Sequence, residues 1–134
     1  KRTKVPKEGT DVPENIRALA QENEVSDHLA RAGFDVKQRP NIPEIRANPD
    51  LLLEGIRYDI YSPRYRTPGK NILGTIIEKV YDREQANRVV INLSDSKISV
   101  PRLRKQLRAL KNYNRVEEVI GVNRNGTIFS LYSR

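Results

Sequence analysis

The sequence predicts an α/β domain with a mixed central sheet flanked by helices. Three observations carry that prediction. Arg88 to Leu93 is a dense β-branched run of the kind buried on both faces of a sheet. Apolar positions recur at helical spacing around residues 13–33, 71–85 and 100–111. Short alternating segments bounded by Gly, Pro or Asn fill the intervals. At 134 residues the chain has the length of one domain able to bury about two thirds of its unfolded surface.

The elements follow in order. Residues 1–12 read as a flexible basic lead, and 13–134 as a single domain. A first helix starts near Pro13, with Asp11 and Pro13 as start signals, and stops at Gly33. Arg17, Gln21, Glu24, His28 and Arg31 form its expected wet side. Ala18, Val25, Leu29 and Ala32 form the apolar side, and Glu22 falls among them. Phe34 to Arg39 alternates as a strand, the Pro40–Pro43 region breaks it, and Glu44 to Asn48 reads as loop. Asp50 to Glu54, a turn at Gly55 and Ile56 to Tyr61 form a hairpin. Ser62 to Lys70 is loop, Asn71 to Gln85 a second helix, and Val100 to Lys111 a third with Leu103, Leu107 and Leu110 inside. Val116 to Asn123, an Asn125-Gly126 turn and Thr127 to Tyr132 close the chain as a strand pair. The expected order is α-β-β-β-α-β-α-β-β.

Composition narrows the function. The formal charge is +8 and the pI near 9.9, which favours a polyanionic partner. Sixteen of the 25 cations are arginine, whose planar fork suits bidentate phosphate contact. With no cysteine there is no disulfide framework, thiolate metal site or cysteine nucleophile. The single histidine, His28, on the expected outer face, argues against a histidine acid–base pair. No Gly-rich phosphate loop or Gly-x-Ser-x-Gly elbow is present. No apolar run reaches membrane-spanning length, and no membrane binding by this domain is expected. The polar start without Met suggests a piece of something larger, although a chosen boundary would look the same.

Against that basic background two acids stand out. Asp50 begins a strand and Asp59 sits inside the next. A tight turn at Gly55 would set them close to opposite, where like charges repel unless a cation or protons compensate. A hard divalent ion with oxygen ligands is the natural occupant. The plainer alternative is that Asp50 caps a turn and Asp59 faces solvent. Glu22 needs a partner on its core-facing stripe: the same metal, or an arginine such as Arg57. Lys79 shares a side of the second helix with Ile72, Thr75 and Ile76. It either reaches Asp59 or covers apolar surface with its stem. Arg64, Arg66 and Lys70 lie in a stretch without acids from Ile60 to Ile77, interleaved with Tyr61 and Tyr65. Arg104, Arg108 and Lys111 form one stripe of the third helix, either a solvated face or a backbone-binding one.

The ordered set Asp50…Asp59 resembles the PD-(D/E)XK nuclease motif, with Tyr61 where that motif has lysine. Glu22-Asn23-Glu24…Gly33-Phe34-Asp35-Val36…Pro40, Asn48-Pro49-Asp50, Glu54-Gly55…Asp59-Ile60-Tyr61-Ser62-Pro63 and Gln85-Ala86-Asn87-Arg88-Val89-Val90-Ile91-Asn92-Leu93 together resemble the C-terminal toxin domains of contact-dependent growth inhibition proteins. That resemblance spans roughly residues 15–125. It implies a restriction-endonuclease-like core and a metal-dependent nuclease that cuts tRNA in a neighbouring bacterium. Asp50, Asp59 and Glu22 (with Glu24 as rival) match the acids, Lys79 matches a lysine displaced to the second helix, and Gln85 supports the site. The implied cofactor is Mg²⁺, with Mn²⁺ or Zn²⁺ as alternatives. The implied partners are tRNA and a cognate immunity protein, for which an acidic surface would suit the basic site. The domain would be delivered from the producing cell and act in the target cytoplasm. A DNase of the same fold and a non-catalytic nucleic-acid-binding module are the alternatives.

Overall fold

The structure, a computed structural model, describes residues 13–38, 50–83 and 86–134. The basic lead at 1–12, the segment 39–49 with its expected break and loop, and Gln85 lie outside the described residues. Six strands form one sheet in chain order: β1 (Val36–Gln38), β2 (Leu51–Leu53), β3 (Ile56–Tyr61), β4 (Arg88–Asn92), β5 (Glu118–Val122) and β6 (Ile128–Ser133). The helices are α1 (Pro13–Arg31), α2 (Gly69–Glu78) and α3 (Val100–Leu107). The element order is the one expected from sequence.

The sheet is mixed. β1, β2 and β3 pair antiparallel, β3, β4 and β5 parallel, and β6 returns antiparallel on β5. Parallel neighbours require crossovers, supplied by α2 between β3 and β4 and by α3 between β4 and β5. Both crossovers cover one face. There Ile72 and Ile76 of α2 and Leu103 and Leu107 of α3 pack on Val89 and Ile91. On the other face Val25 and Leu29 of α1 pack on Leu51, Leu53, Tyr58, Ile60, Val90 and Val122. Val89 and Val90 thus belong to different cores, and β4 is buried on both sides as its β-branched run requires.

Local chemistry sets the boundaries. α1 is stopped by Gly33, two residues past its end, whose φ of 100° suits a residue without Cβ. There Gly33 N–H donates to Ala30 O and Phe34 N–H to Leu29 O. α2 ends earlier than the helical spacing suggests and continues as a π-helical turn, Lys79–Arg83. α3 likewise tightens into a 3₁₀ turn, Arg108–Asn112. Its start is capped by Ser99, whose Oγ accepts from Arg102 N–H at 3.3 Å.

One expectation about α1 is corrected. Its supposed wet side is partly docked on the sheet. Asn92, fully buried, donates through Nδ2 to Gln21 Oε1 at 3.0 Å and to Glu24 Oε1 at 2.9 Å. His28 is half-buried against the β5–β6 turn, where a Cβ at Gly126 would fall 2.8 Å from its Nδ1. A buried asparagine and the close approach of a turn hold this side, and helical periodicity registers neither.

Candidate functional site

The acids are positioned by the β2–β3 hairpin. Its two-residue turn puts Glu54 at φ 54° and Gly55 at φ 79°, the left-handed pair that matches the twist of the flanking strands. Glu54 is held there by accepting the Asp35 N–H through Oε2 at 2.5 Å. The resulting register pairs Leu53 with Ile56, Leu52 with Arg57 and Leu51 with Tyr58. Continued one step, it sets Asp50 against Asp59.

Their environments differ. Asp50 is half-buried, and its Oδ2 accepts the Ile60 N–H at 2.8 Å, extending the ladder past the end of β2. Asp59 is completely buried, and neither carboxylate oxygen has a hydrogen-bond partner. Its neighbours Tyr58 and Ile60 face α1, so Asp59 points to the face covered by α2 and α3. Burial, then the Asp50 carboxylate, raises its pKa from 3.8 to about 6. Lys79, the Asp50 backbone N–H and Arg83 pull it back down; that N–H leans towards Asp59 without reaching hydrogen-bond geometry. The solvent-facing alternative for Asp59 does not hold, while Asp50 does cap the strand end.

Lys79 is buried at 9% exposure, on the same face as Asp59. It opens the π-helical turn, and its N–H donates to Ile76 O and Thr75 O. Tyr61, at the position where the nuclease motif has lysine, packs against the α2/α3 core instead. Arg83, at the far end of the π turn, also acts on Asp59, a contribution that sequence reasoning missed. It closes the π turn, and no residue pattern announces such a turn.

Glu22 is also buried, at 9% exposure, but on α1, which covers the opposite face of the sheet. Its neighbour Asn23 accepts from Gln38 Nε2 at 3.0 Å, and Gln38 pairs with Leu51, the residue after Asp50. Glu22 therefore lies at the Asp50 end of β2. Among the described residues no three acids or imidazoles gather as a metal cage. The rival Glu24 is committed to Asn92 and to Ser94 Oγ.

The chemistry of the acid pair fits a cation all the same. A fully buried carboxylate with two orphan oxygens beside a second acid is an arrangement that a divalent ion would stabilise. Asp59 and Asp50 would be its protein ligands.

Of the expected backbone-binding cations, Arg64, Arg66, Lys70, Arg108 and Lys111 are exposed. Arg104 is exposed but engaged. Its guanidinium donates to Ser130 O at 2.9 and 3.1 Å and lies 5.8 Å from the Phe129 ring centroid.

Fold and site define a mixed α/β domain with a buried aspartate set against a half-buried one, a buried lysine on the same face and a basic exterior. A family model described as the contact-dependent growth inhibition CdiA C-terminal domain matches residues 46–128. Over 107 residues the chain is 35% identical to "tRNA nuclease CdiA-2" of Burkholderia pseudomallei (strain 1026b). That match covers 80% of this chain and 3% of the relative, so the chain spans a small part of that protein's length. A solved structure, "CdiA-CT/CdiI toxin and immunity complex from Burkholderia pseudomallei", superposes with a TM-score of 0.81 at 31% identity. It covers 97% of this chain and 94% of the other. The chain belongs to the CdiA C-terminal domain family of contact-dependent growth inhibition.

Proposed function

We propose that this domain is a toxin ribonuclease that hydrolyses a phosphodiester bond in tRNA with the help of a divalent metal ion. The buried Asp59 facing Asp50, with Lys79 on the same side, is the observation that carries the reading. The name of the B. pseudomallei relative supports the substrate, and the toxin–immunity complex supports a cognate immunity protein as partner. The order α1-β1-β2-β3-α2-β4, with acids on the β2–β3 hairpin, supports a PD-(D/E)XK-like core whose lysine has moved to the π turn that follows α2. The family's role in growth inhibition supports delivery into a neighbouring bacterium and action in its cytoplasm.

When bound, a divalent ion lowers the pKa of a coordinated water and neutralises charge on the scissile phosphate. Asp50 and Asp59 hold and orient that ion, preferably Mg²⁺, with Mn²⁺ or Zn²⁺ as alternatives. Asp59 must be ionised to serve, which requires a pH above about 6 in the metal-free protein. Lys79 favours that ionised form and places a positive charge where the pentacoordinate phosphorus gathers negative charge. Glu22, on α1 at the Asp50 end of β2, would serve as third ligand or water-orienting base.

The test incubates the domain with total tRNA and with plasmid DNA, with Mg²⁺ or with EDTA. Metal-dependent loss of tRNA bands by the parent, and none by Asp59→Ala, is the expected result. Equal cleavage by variant and parent overturns the site. Cleavage of plasmid alone makes the domain a DNase. In the same assay Glu22→Gln separates a three-acid site, where it abolishes cleavage, from a two-acid site.

A further inference from the structure

A second basic surface lies away from the acid pair. The loops that follow β3 and β4 are tied together where Lys97 N–H donates to Tyr65 O at 3.1 Å. Between them and α3 opens a groove with two adjoining chambers of about 630 and 640 Å³. Arg66, Lys97 and Arg102 line the first, and Lys70, Lys105 and again Arg102 the second. Among the described residues no acid lines either chamber. Five cations around one concavity repel one another, and a polyanion relieves that repulsion.

Gly69 sits at the seam of the two chambers. A Cβ there would lie 3.2 Å from Ile98 Cδ1 and 3.4 Å from Gln106 Cγ, so glycine lets α2 approach α3 closely. Gly69 opens α2 and Lys79 follows its end, which sets the groove and the lysine that acts on Asp59 about 15 Å apart along the helix at 1.5 Å per residue. That is a span of several nucleotides along a strand, too far for one phosphate to occupy both places.

We propose that this groove is a second subsite for the RNA backbone, gripping phosphates several nucleotides from the bond cut at Asp50 and Asp59. The inference rests on the nuclease reading for its ligand class. Arg66, Lys97 and Arg102 position the substrate and take no part in the chemistry. The separation of groove and acids favours a long polyanion over a free nucleotide, which would fill only one of the two.

The experiment measures tRNA binding in an Asp59→Asn background, where the RNA stays intact, over a range of salt concentrations. The triple variant Arg66→Gln/Lys97→Gln/Arg102→Gln is expected to bind at least tenfold more weakly. Its log–log salt slope should be shallower by about 0.7 to 0.9 for each phosphate that the groove no longer neutralises. Arg66→Lys/Arg102→Lys, which keeps the charge, should retain most of the affinity. A charge-matched control, Arg31→Gln/Lys37→Gln/Arg57→Gln, removes three exposed cations elsewhere and should bind as the parent does. A triple variant that binds no more weakly than this control overturns the proposal. So does one that keeps tRNA affinity but loses the immunity protein, since the groove then belongs to that partner. The nuclease reading fails by a different result, intact tRNA after incubation with the Asp59-bearing parent and metal.

Discussion

At Asp59 two opposing demands meet in one side chain. Full burial disfavours the charge, while service as a metal ligand requires it. Its folded pKa of about 6 lies above the ordinary 3.8, so between those values the folded state binds more protons than the unfolded. Stability contributed by this group is therefore present below about pH 4 and lost as pH rises through 6. Asp59→Asn should stabilise the metal-free protein at neutral pH by about 2–3 kcal/mol, and by nothing at pH 3, while abolishing cleavage. Urea titrations in EDTA at both pH values check the sign. Lys79→Gln should move the Asp59 titration upward, because a charge that favours the carboxylate is removed. A carboxyl carbon NMR titration reads that shift directly. The acid pair was legible in the sequence because a two-residue turn at Glu54-Gly55 fixes the register from Leu53 outward. The reach of Lys79 was only half legible. Its side of the helix follows from 3.6-residue spacing, but the π turn that starts there does not.

Among the elements, those with strong periodicity were the ones that sequence located well. α3 reads cleanly because Leu103, Leu107 and Leu110 repeat at helical intervals, and β4 because Val89, Val90 and Ile91 leave no wet face. β1 begins at Val36 rather than at Phe34, which stands 38% exposed, because a two-residue alternation does not say where a ladder partner ends. The wet side assigned to α1 misled for another reason: Gln21 and Glu24 bond to Asn92, and polarity alone cannot distinguish water from a buried amide. The β5–β6 pair depends on the missing side chain at Gly121. Phe129 lies across it, and a Cβ there would fall 2.5 Å from Cε2 and 2.8 Å from Cζ of the ring. Gly121→Ala should cost about 1–3 kcal/mol by displacing Phe129, and with it the ring over which Arg104 sits. Chemical denaturation measures the loss, and a Phe129→Ala background should reduce it.

For the whole molecule the question is what fastens the α1 layer to the rest, since α1 precedes the sheet and no crossover ties it down. Apolar packing through Val25 and Leu29 supplies attraction without direction. Direction comes from Asn92 at the end of β4, whose Nδ2 reaches Gln21 and Glu24 and whose Oδ1 accepts Ser94 N–H at 3.0 Å. Ser94 Oγ donates to the same Glu24 carboxylate at 2.8 Å, and Arg124 of the β5–β6 turn donates to Ser94 O at 2.7 Å. One buried amide thus links α1, the centre of the sheet and its far turn. Truncating it leaves Glu24 short of a buried donor, which costs about 1–3 kcal/mol beyond the hydrogen bonds themselves. Asn92→Ala should therefore lower global stability by about 2–4 kcal/mol, combining that penalty with those bonds. The loss should not be uniform. Amide exchange should accelerate first in α1, from Gln21 to Leu29, while Val89 to Ile91 keep their protection through the α2/α3 core. Because Glu22 rides on α1 and Asp59 does not, the same variant separates their roles. Cleavage that falls in proportion to α1 opening makes Glu22 part of the chemistry, and cleavage retained leaves the reaction to Asp50, Asp59 and Lys79.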